Sequence, residues 1–195
     1  MKLYQILHDL PPLPKHFVYE ILDTVQDSSR RKTKTFHNVP GRKEYRERVL
    51  TLADGSQCQS VTSEKWSISA ELEHWLQNNI QSQWIDVGIN QHNIVSHVMG
   101  PHVDDIKNEI IIYVIDPGGT NVETVWWQQK GFPIERPDKL PANTDGFFTS
   151  HNNYQDLIEL DRVCISPGQW VRMNTLVLHS VENITATRTI LKIGL

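Results

Sequence analysis

The chain has 195 residues, a formal charge of -4, a pI of about 6.1 and 38% apolar residues with six tryptophans among them. That is enough apolar material for one folded domain, since single cores commonly hold roughly 100 to 200 residues, and the acidic balance gives no sign of the basic face that nucleic-acid binding normally needs. Cys58 and Cys164 lie far apart with no CxxC spacing, so a zinc ribbon is excluded and both read as reduced thiols of a cytoplasmic protein.

The N-terminal stretch "MKLYQILHDLPPLPKHFVYEIL" holds no continuous apolar run, and no window approaches the roughly 18 apolar residues that a membrane span needs. The expectation is a soluble, unexported, cytoplasmic protein. After "LPPLP" the segment "KHFVYEILDTVQ" spaces Phe17, Ile21 and Val25 four apart, which predicts a helix with one apolar face. Residues 28 to 48, "SSRRKTKTFHNVPGRKEYRER", form a strongly basic island in an acidic chain: either a solvated surface segment or a contact for an anionic substrate or partner. "SAELEHWLQNNI", residues 69 to 80, repeats the helical pattern through Leu72, Trp75, Leu76 and Ile80, with Ser69 placed to cap it. Residues 1 to 83 are therefore predicted to be a helical and basic support region.

From Trp84 the pattern changes to short β-rich runs: "WIDVGI", "NIVSHVM", "EIIIYVI", "ETVWW", "DLIEL", "RVCI", "WVRM", "TLVLHSV" and "TRTILKIGL". "DPGG" at 116 to 119 and "SPGQ" at 166 to 169 are turn signals between them. So many short strands over residues 84 to 195 predict a sandwich or jelly roll. Residues 128 to 155 are too long and too rich in Pro, Gly and Asn for a hairpin loop, and read either as a lid or as a surface excursion.

The chemistry-bearing residues sit inside this β-rich part. In "GPHVDD", His102 and Asp104 are two apart, so an extended backbone turns both to one side, where an imidazole nitrogen and a carboxylate oxygen can meet one ion. That pair alone reads by default as an ordinary capped polar turn. His179 lies inside the apolar run "TLVLHSV", where a histidine needs a polar partner or a ligand to be buried. Two histidines and one carboxylate on one face of a metal, with the other positions open, make the facial triad that holds non-haem Fe(II). Arg188 follows nine residues after His179, and a buried arginine in "TRTILKIGL" calls for an anion, for which its planar fork suits a carboxylate.

With these residues the sequence resembles the Fe(II)- and 2-oxoglutarate-dependent dioxygenases, through "PHVDD", "IDPGGTNVETVWW" and "ISPGQWVRMNTLVLHSVENITATRTILKIGL". The resemblance covers roughly residues 84 to 195 and implies a double-stranded β-helix, a cupin-like jelly roll, in a single domain flanked by N-terminal helices. It implies that His102, Asp104 and His179 bind iron and that Arg188 pairs with the distal carboxylate of 2-oxoglutarate. Tyr113 is either a second hydrogen-bond donor to that carboxylate or a core aromatic. The implied reaction is hydroxylation by O2 with release of succinate and CO2; Asp104 disfavours halogenation, because halogenating members usually lack that carboxylate. One subgroup carries Ser two residues after the arginine, where this chain has Ile190.

The substrate is expected to be small and amino acid-like, or a peptidyl side chain, with nucleic acid least favoured. Trp126, Trp127, Arg136, Phe147, Phe148 and His151 are candidate lining residues. Two other readings stay open. One is a cupin-like metal-binding protein or isomerase without 2-oxoglutarate chemistry, for which His102 and Glu109 mimic part of the pattern; the other is a non-catalytic jelly-roll binding module. Asp105 is expected to point away from the ion that Asp104 would bind.

Overall fold

The apolar runs lack clean alternation because they are buried on both faces. In Glu109–Asp116, Ile111 and Tyr113 join one core while Ile110, Ile112 and Val114 join another. A computed structural model describes residues 2–26, 49–61, 63–80, 83–84, 86–92, 98–104, 108–135 and 151–195. The whole of the basic island, Asp105, Arg136, Phe147, Phe148 and much of the 128 to 155 loop lie outside those residues.

In chain order the strands are β1 (Tyr4–Ile6), β2 (Val49–Thr51), β3 (Gln57–Gln59), β4 (Ser63–Trp66), β5 (Asp86–His92), β6 (Met99–His102), β7 (Glu109–Asp116), β8 (Glu123–Gln129), β9 (Leu157–Cys164), β10 (Trp170–Asn174), β11 (Leu178–Glu182) and β12 (Arg188–Gly194). Helix α1 (Lys15–Thr24) precedes β2 and α2 (Ala70–Asn79) follows β4. A larger antiparallel sheet has the order β1-β10-β7-β12-β5-β4, and a smaller one the order β6-β11-β8-β9. Between them lies a core of Ile110, Ile112, Val114, Trp126, Val171 and Ile190. The fold is the jelly roll, or double-stranded β-helix, that the strand pattern predicts.

Both helices cover the outer face of the larger sheet. Phe17, Ile21 and Val25 from the first, and Leu72, Leu76 and Ile80 from the second, pack on Ile89, Ile111, Leu191 and Ile193. Ser69 caps α2 as expected, its hydroxyl accepting a hydrogen bond of 3.1 Å from the Leu72 amide. The N-terminal part also contributes strands that the helical prediction does not include: β1 and β4 close the two edges of the larger sheet, and β2 and β3 pair separately. Three or four residues are too few to display a period of two, which is why these strands are invisible to pattern reading.

"DLIEL" and "RVCI" are one strand, β9, paired with β8 along its length and forming an edge of the smaller sheet. Its exposed Glu159 and Arg162 pair with each other and Arg162 also reaches Glu123, a charged surface that resists edge-to-edge association. Leu191 is fully buried in the middle of the larger sheet beneath the helices. Leu191→Ala is expected to lower unfolding stability by about 3 kcal/mol in urea denaturation, and a loss below about 1 kcal/mol would mean that helices and sheet do not share this core.

Candidate metal centre

Strand pairing brings the two histidines together. β6 and β11 lie side by side in the smaller sheet, with His179 directly opposite His102 and the two rings 4.5 Å apart between centroids. Each imidazole is oriented by a backbone carbonyl two residues earlier: His102 Nδ1 lies 3.0 Å from the Gly100 oxygen and His179 Nδ1 3.0 Å from the Val177 oxygen. With each Nδ1 carrying its proton towards that carbonyl, Nε2 is left with a free lone pair, the usual arrangement of metal-binding histidines. Asp104 lies two residues beyond β6, its amide donating to the Thr175 carbonyl at 3.2 Å, and Oδ1 lies 4.0 Å from His102 Nε2. One potential ligand atom from each of His102, Asp104 and His179 lies within 4.8 Å of the others.

A second polar group lies on the inner face of the larger sheet. β12 pairs with β5 in unbroken register, Arg188 opposite His92, Ile190 opposite Asn90 and Lys192 opposite Gly88, so Arg188, Ile190 and Lys192 share one face. Ile190 belongs to the core between the sheets, which identifies that face as the inner one. Arg188 is 4% exposed, and neither a salt bridge nor a partner for its Nε is found among the described residues. His92 Nδ1 and Asn90 Oδ1, also buried, likewise lack hydrogen-bond partners there. Lys192 reaches across to Asp104, Nζ to Oδ2 at 2.7 Å.

The start of β12 is set by a glycine turn. Gly118 adopts φ +80°, and a Cβ added there would lie 2.8 Å from Arg188 Cβ and 2.7 Å from the Ala186 carbonyl. The Gly118 carbonyl accepts hydrogen bonds from the amides of Thr185 and Ala186, so the "DPGG" turn carries the chain into Arg188. Only glycine supplies both the left-handed backbone and the space.

Burial governs the electrostatics. It drives the imidazoles of His92, His102 and His179 towards the neutral form, His102 to about 3, with the neighbouring His179 adding to the effect on His102. Burial alone would raise the Asp104 carboxyl, but the Lys192 ammonium, together with the two imidazoles, holds it well below its ordinary range. Burial also lowers Arg188 to about 10, still cationic at neutral pH.

Of the residues singled out from sequence, His102, Asp104 and His179 come together, and Arg188 faces the same inter-sheet space. Tyr113 sits on the opposite face of the larger sheet, its ring 4.6 Å from Trp170 in the core beneath the helices. The two tryptophans divide. Trp126, opposite His179, is buried between the sheets and stacked on Tyr4, whereas Trp127 faces outward and donates to Ser180 Oγ at 2.8 Å. His151 is buried beside β6, its amide donating to the Pro101 carbonyl. Glu109 is exposed at the start of β7 and faces Arg172, apart from the three donors. Lys192, His92 and Asn90 are not among the residues singled out from sequence, and Gly118 enters there only through the "DPGG" turn; Lys192 stands four residues from Arg188 in an apolar strand, which is the signal that places it on the same face.

An unfolded histidine takes up a proton near pH 6.5, whereas these three resist it when folded. Their depressed folded values mean that the stability they contribute is present above that pH and is lost as pH falls towards about 3. The urea midpoint of the metal-free protein is expected to fall steadily from about pH 7 to pH 4, each buried histidine contributing up to about 1.4 kcal/mol per pH unit. A flat midpoint over that range would show the imidazoles to be accessible to protons.

No family model matches the chain, and no curated protein matches its sequence. Among solved structures it is similar to a prolyl hydroxylase from Trichoplax adhaerens in complex with a hypoxia inducible factor oxygen degradation domain peptide fragment. Identity is 8%, the TM-score is 0.51, and the match covers 98% of this chain and 82% of that one. AviO1 from Streptomyces viridochromogenes Tue57 matches with 11% identity and a TM-score of 0.46, over 98% of this chain and 89% of that one. E. coli ycfD matches with 14% identity and a TM-score of 0.39, over the whole of this chain and 50% of that one. The relationship to the hydroxylase is one of fold, and on that fold this chain carries a His-Asp-His group able to hold a metal. No helix among the described residues is long and apolar enough to cross a membrane.

Proposed function

We propose that the chain is a non-haem Fe(II)- and 2-oxoglutarate-dependent oxygenase that hydroxylates a small, amino acid-like molecule or a peptidyl side chain. The observation that carries this reading is the convergence of two neutral imidazoles and one carboxylate, facing the same inter-sheet space as a buried arginine whose Nε has no partner among the described residues. Two nitrogens and one oxygen suit Fe(II), and the absence of a thiolate among the three donors disfavours a structural zinc site. The fit of a dicarboxylate rests on Arg188: a buried guanidinium is costly without a partner, and its Nε has none among the described residues.

His102, Asp104 and His179 would hold the iron, the histidines through Nε2 and the aspartate through Oδ1. Bound together, iron and 2-oxoglutarate would divide O2 between the cosubstrate, released as succinate and CO2, and a substrate carbon, which gains a hydroxyl. The chain's own part is positioning and exclusion of water. Arg188 would take the distal carboxylate through charge-assisted hydrogen bonds. It stands four residues from Lys192 along β12, about 13 Å, which is room for an arginine side chain and a short dicarboxylate. Trp126, the Tyr4 ring stacked on it and the aliphatic core keep the inner side of the centre dry. A peptidyl substrate is supported by the peptide bound to the prolyl hydroxylase of the same fold.

Succinate release from 2-oxoglutarate, screened across amino acids, peptides and nucleotides, tests the reaction. Wild type is expected to turn over with one of the first two classes, and His179→Ala to lose turnover. Arg188→Met removes charge-assisted hydrogen bonds worth about 3 kcal/mol, so the KM for 2-oxoglutarate should rise about 100-fold. An unchanged KM in Arg188→Met would remove the dicarboxylate assignment.

A further inference from the structure

Asp104 presents its two oxygens to different partners. Oδ1 faces the His102 Nε2 atom at 4.0 Å, on the side where the three donors meet, while Oδ2 accepts a 2.7 Å hydrogen bond from Lys192 Nζ. This ion pair is largely buried, with side-chain exposures of 19% for the lysine and 17% for the aspartate. Lys192 projects inward because it alternates with Leu191 and Ile193, which lie in the core beneath the helices. An inward lysine in so apolar a strand costs desolvation that only a well-placed carboxylate offsets. Because the ammonium comes from the opposite sheet, it fixes the rotation of a carboxylate whose own backbone is tied to Thr175.

We propose that Lys192 is a positioning residue: it occupies Oδ2 of Asp104, so that the carboxylate gives a bound dication one oxygen rather than two. This rests on the metal reading of the site given above. A single oxygen keeps the protein's donors at three and leaves three positions of an octahedron for a chelating cosubstrate and O2; a chelating aspartate would leave two, both taken by the cosubstrate. The arrangement has a cost. The ammonium reduces the negative potential that the dication meets, so the site binds metal more weakly than its three donors alone would.

The sign of this effect separates positioning from packing. Manganese(II), which resists oxidation and favours oxygen and imidazole donors, is titrated into the full chain and followed by electron paramagnetic resonance. 2-Oxoglutarate is then titrated calorimetrically into the manganese-loaded protein. Lys192→Met, which keeps the length and loses the charge, is expected to bind manganese about tenfold more tightly and 2-oxoglutarate about tenfold more weakly. Lys192→Arg, which keeps a donor and a charge, is expected to stay near wild type in both.

The proposal is overturned if Lys192→Met, natively folded by circular dichroism, binds manganese no more tightly than wild type, or if Lys192→Arg behaves as Lys192→Met does. Should the methionine variant not fold, Lys192→Gln is read by the same criteria. A wild-type chain that binds no manganese would remove the metal reading and this inference together, whereas normal wild-type binding with an unresponsive Lys192→Met removes this inference alone.

Discussion

Everything at the centre of this protein depends on one cross-strand pairing, His102 opposite His179 where β6 lies against β11. A shift of one residue would turn one imidazole to the outer face of the smaller sheet and leave Asp104 beside a single histidine. That pairing is held from both directions. On one side β11 runs against β8 with Trp126 opposite His179, and on the other the chain after β6 is tied to Thr175 through the Asp104 amide. The irregularity between His179 and Val181 lies just beyond the pair and leaves the opposition of the two rings in place.

Around this pairing the protein concentrates polar groups where burial is most costly. Three neutral imidazoles, an amide, a carboxylate, an ammonium and a guanidinium lie on the inner faces of sheets whose shared core is largely Ile, Val and Trp. A fold selected only for stability would replace several of them with aliphatic residues at little cost. Their presence accords with the proposed reading, in which an ion meets the imidazoles of His102 and His179 and the carboxylate, and an anion meets Arg188. Lys192 and Arg188 stand four residues apart on the inner face of β12 and differ in what they meet. The lysine pairs with a carboxylate of the protein, whereas the arginine has no carboxylate partner among the described residues.

Much of this was legible in the amino-acid order, and the exceptions share a cause. The apolar runs after Trp84 announce strands because β-branched residues dominate them, and the two helices show their spacing plainly. His102 and Asp104 are legible because they are two apart in extended chain, and His179 because a histidine in "TLVLHSV" needs a reason to be there. The face of Tyr113 was not legible, because β7 is apolar on both sides and displays no alternation. The partner of Lys192 and the place of His92 were not legible either. Their roles come from which strand lies beside which, β12 against β5 and across from β6, and that is a property of topology rather than of local sequence. The same holds for Gly118, whose neighbour Arg188 lies seventy positions later in the chain.

The account turns on whether His102, Asp104 and His179 together hold iron in a form that 2-oxoglutarate can join. Anaerobic Fe(II) titration followed by addition of 2-oxoglutarate tests this most directly. The account predicts one tightly bound Fe(II) per chain and a weak visible charge-transfer band that forms only when both are present and is absent from His179→Ala. Iron binding that His179→Ala leaves intact, or a wild-type chain that forms no such band with both present, would contradict it.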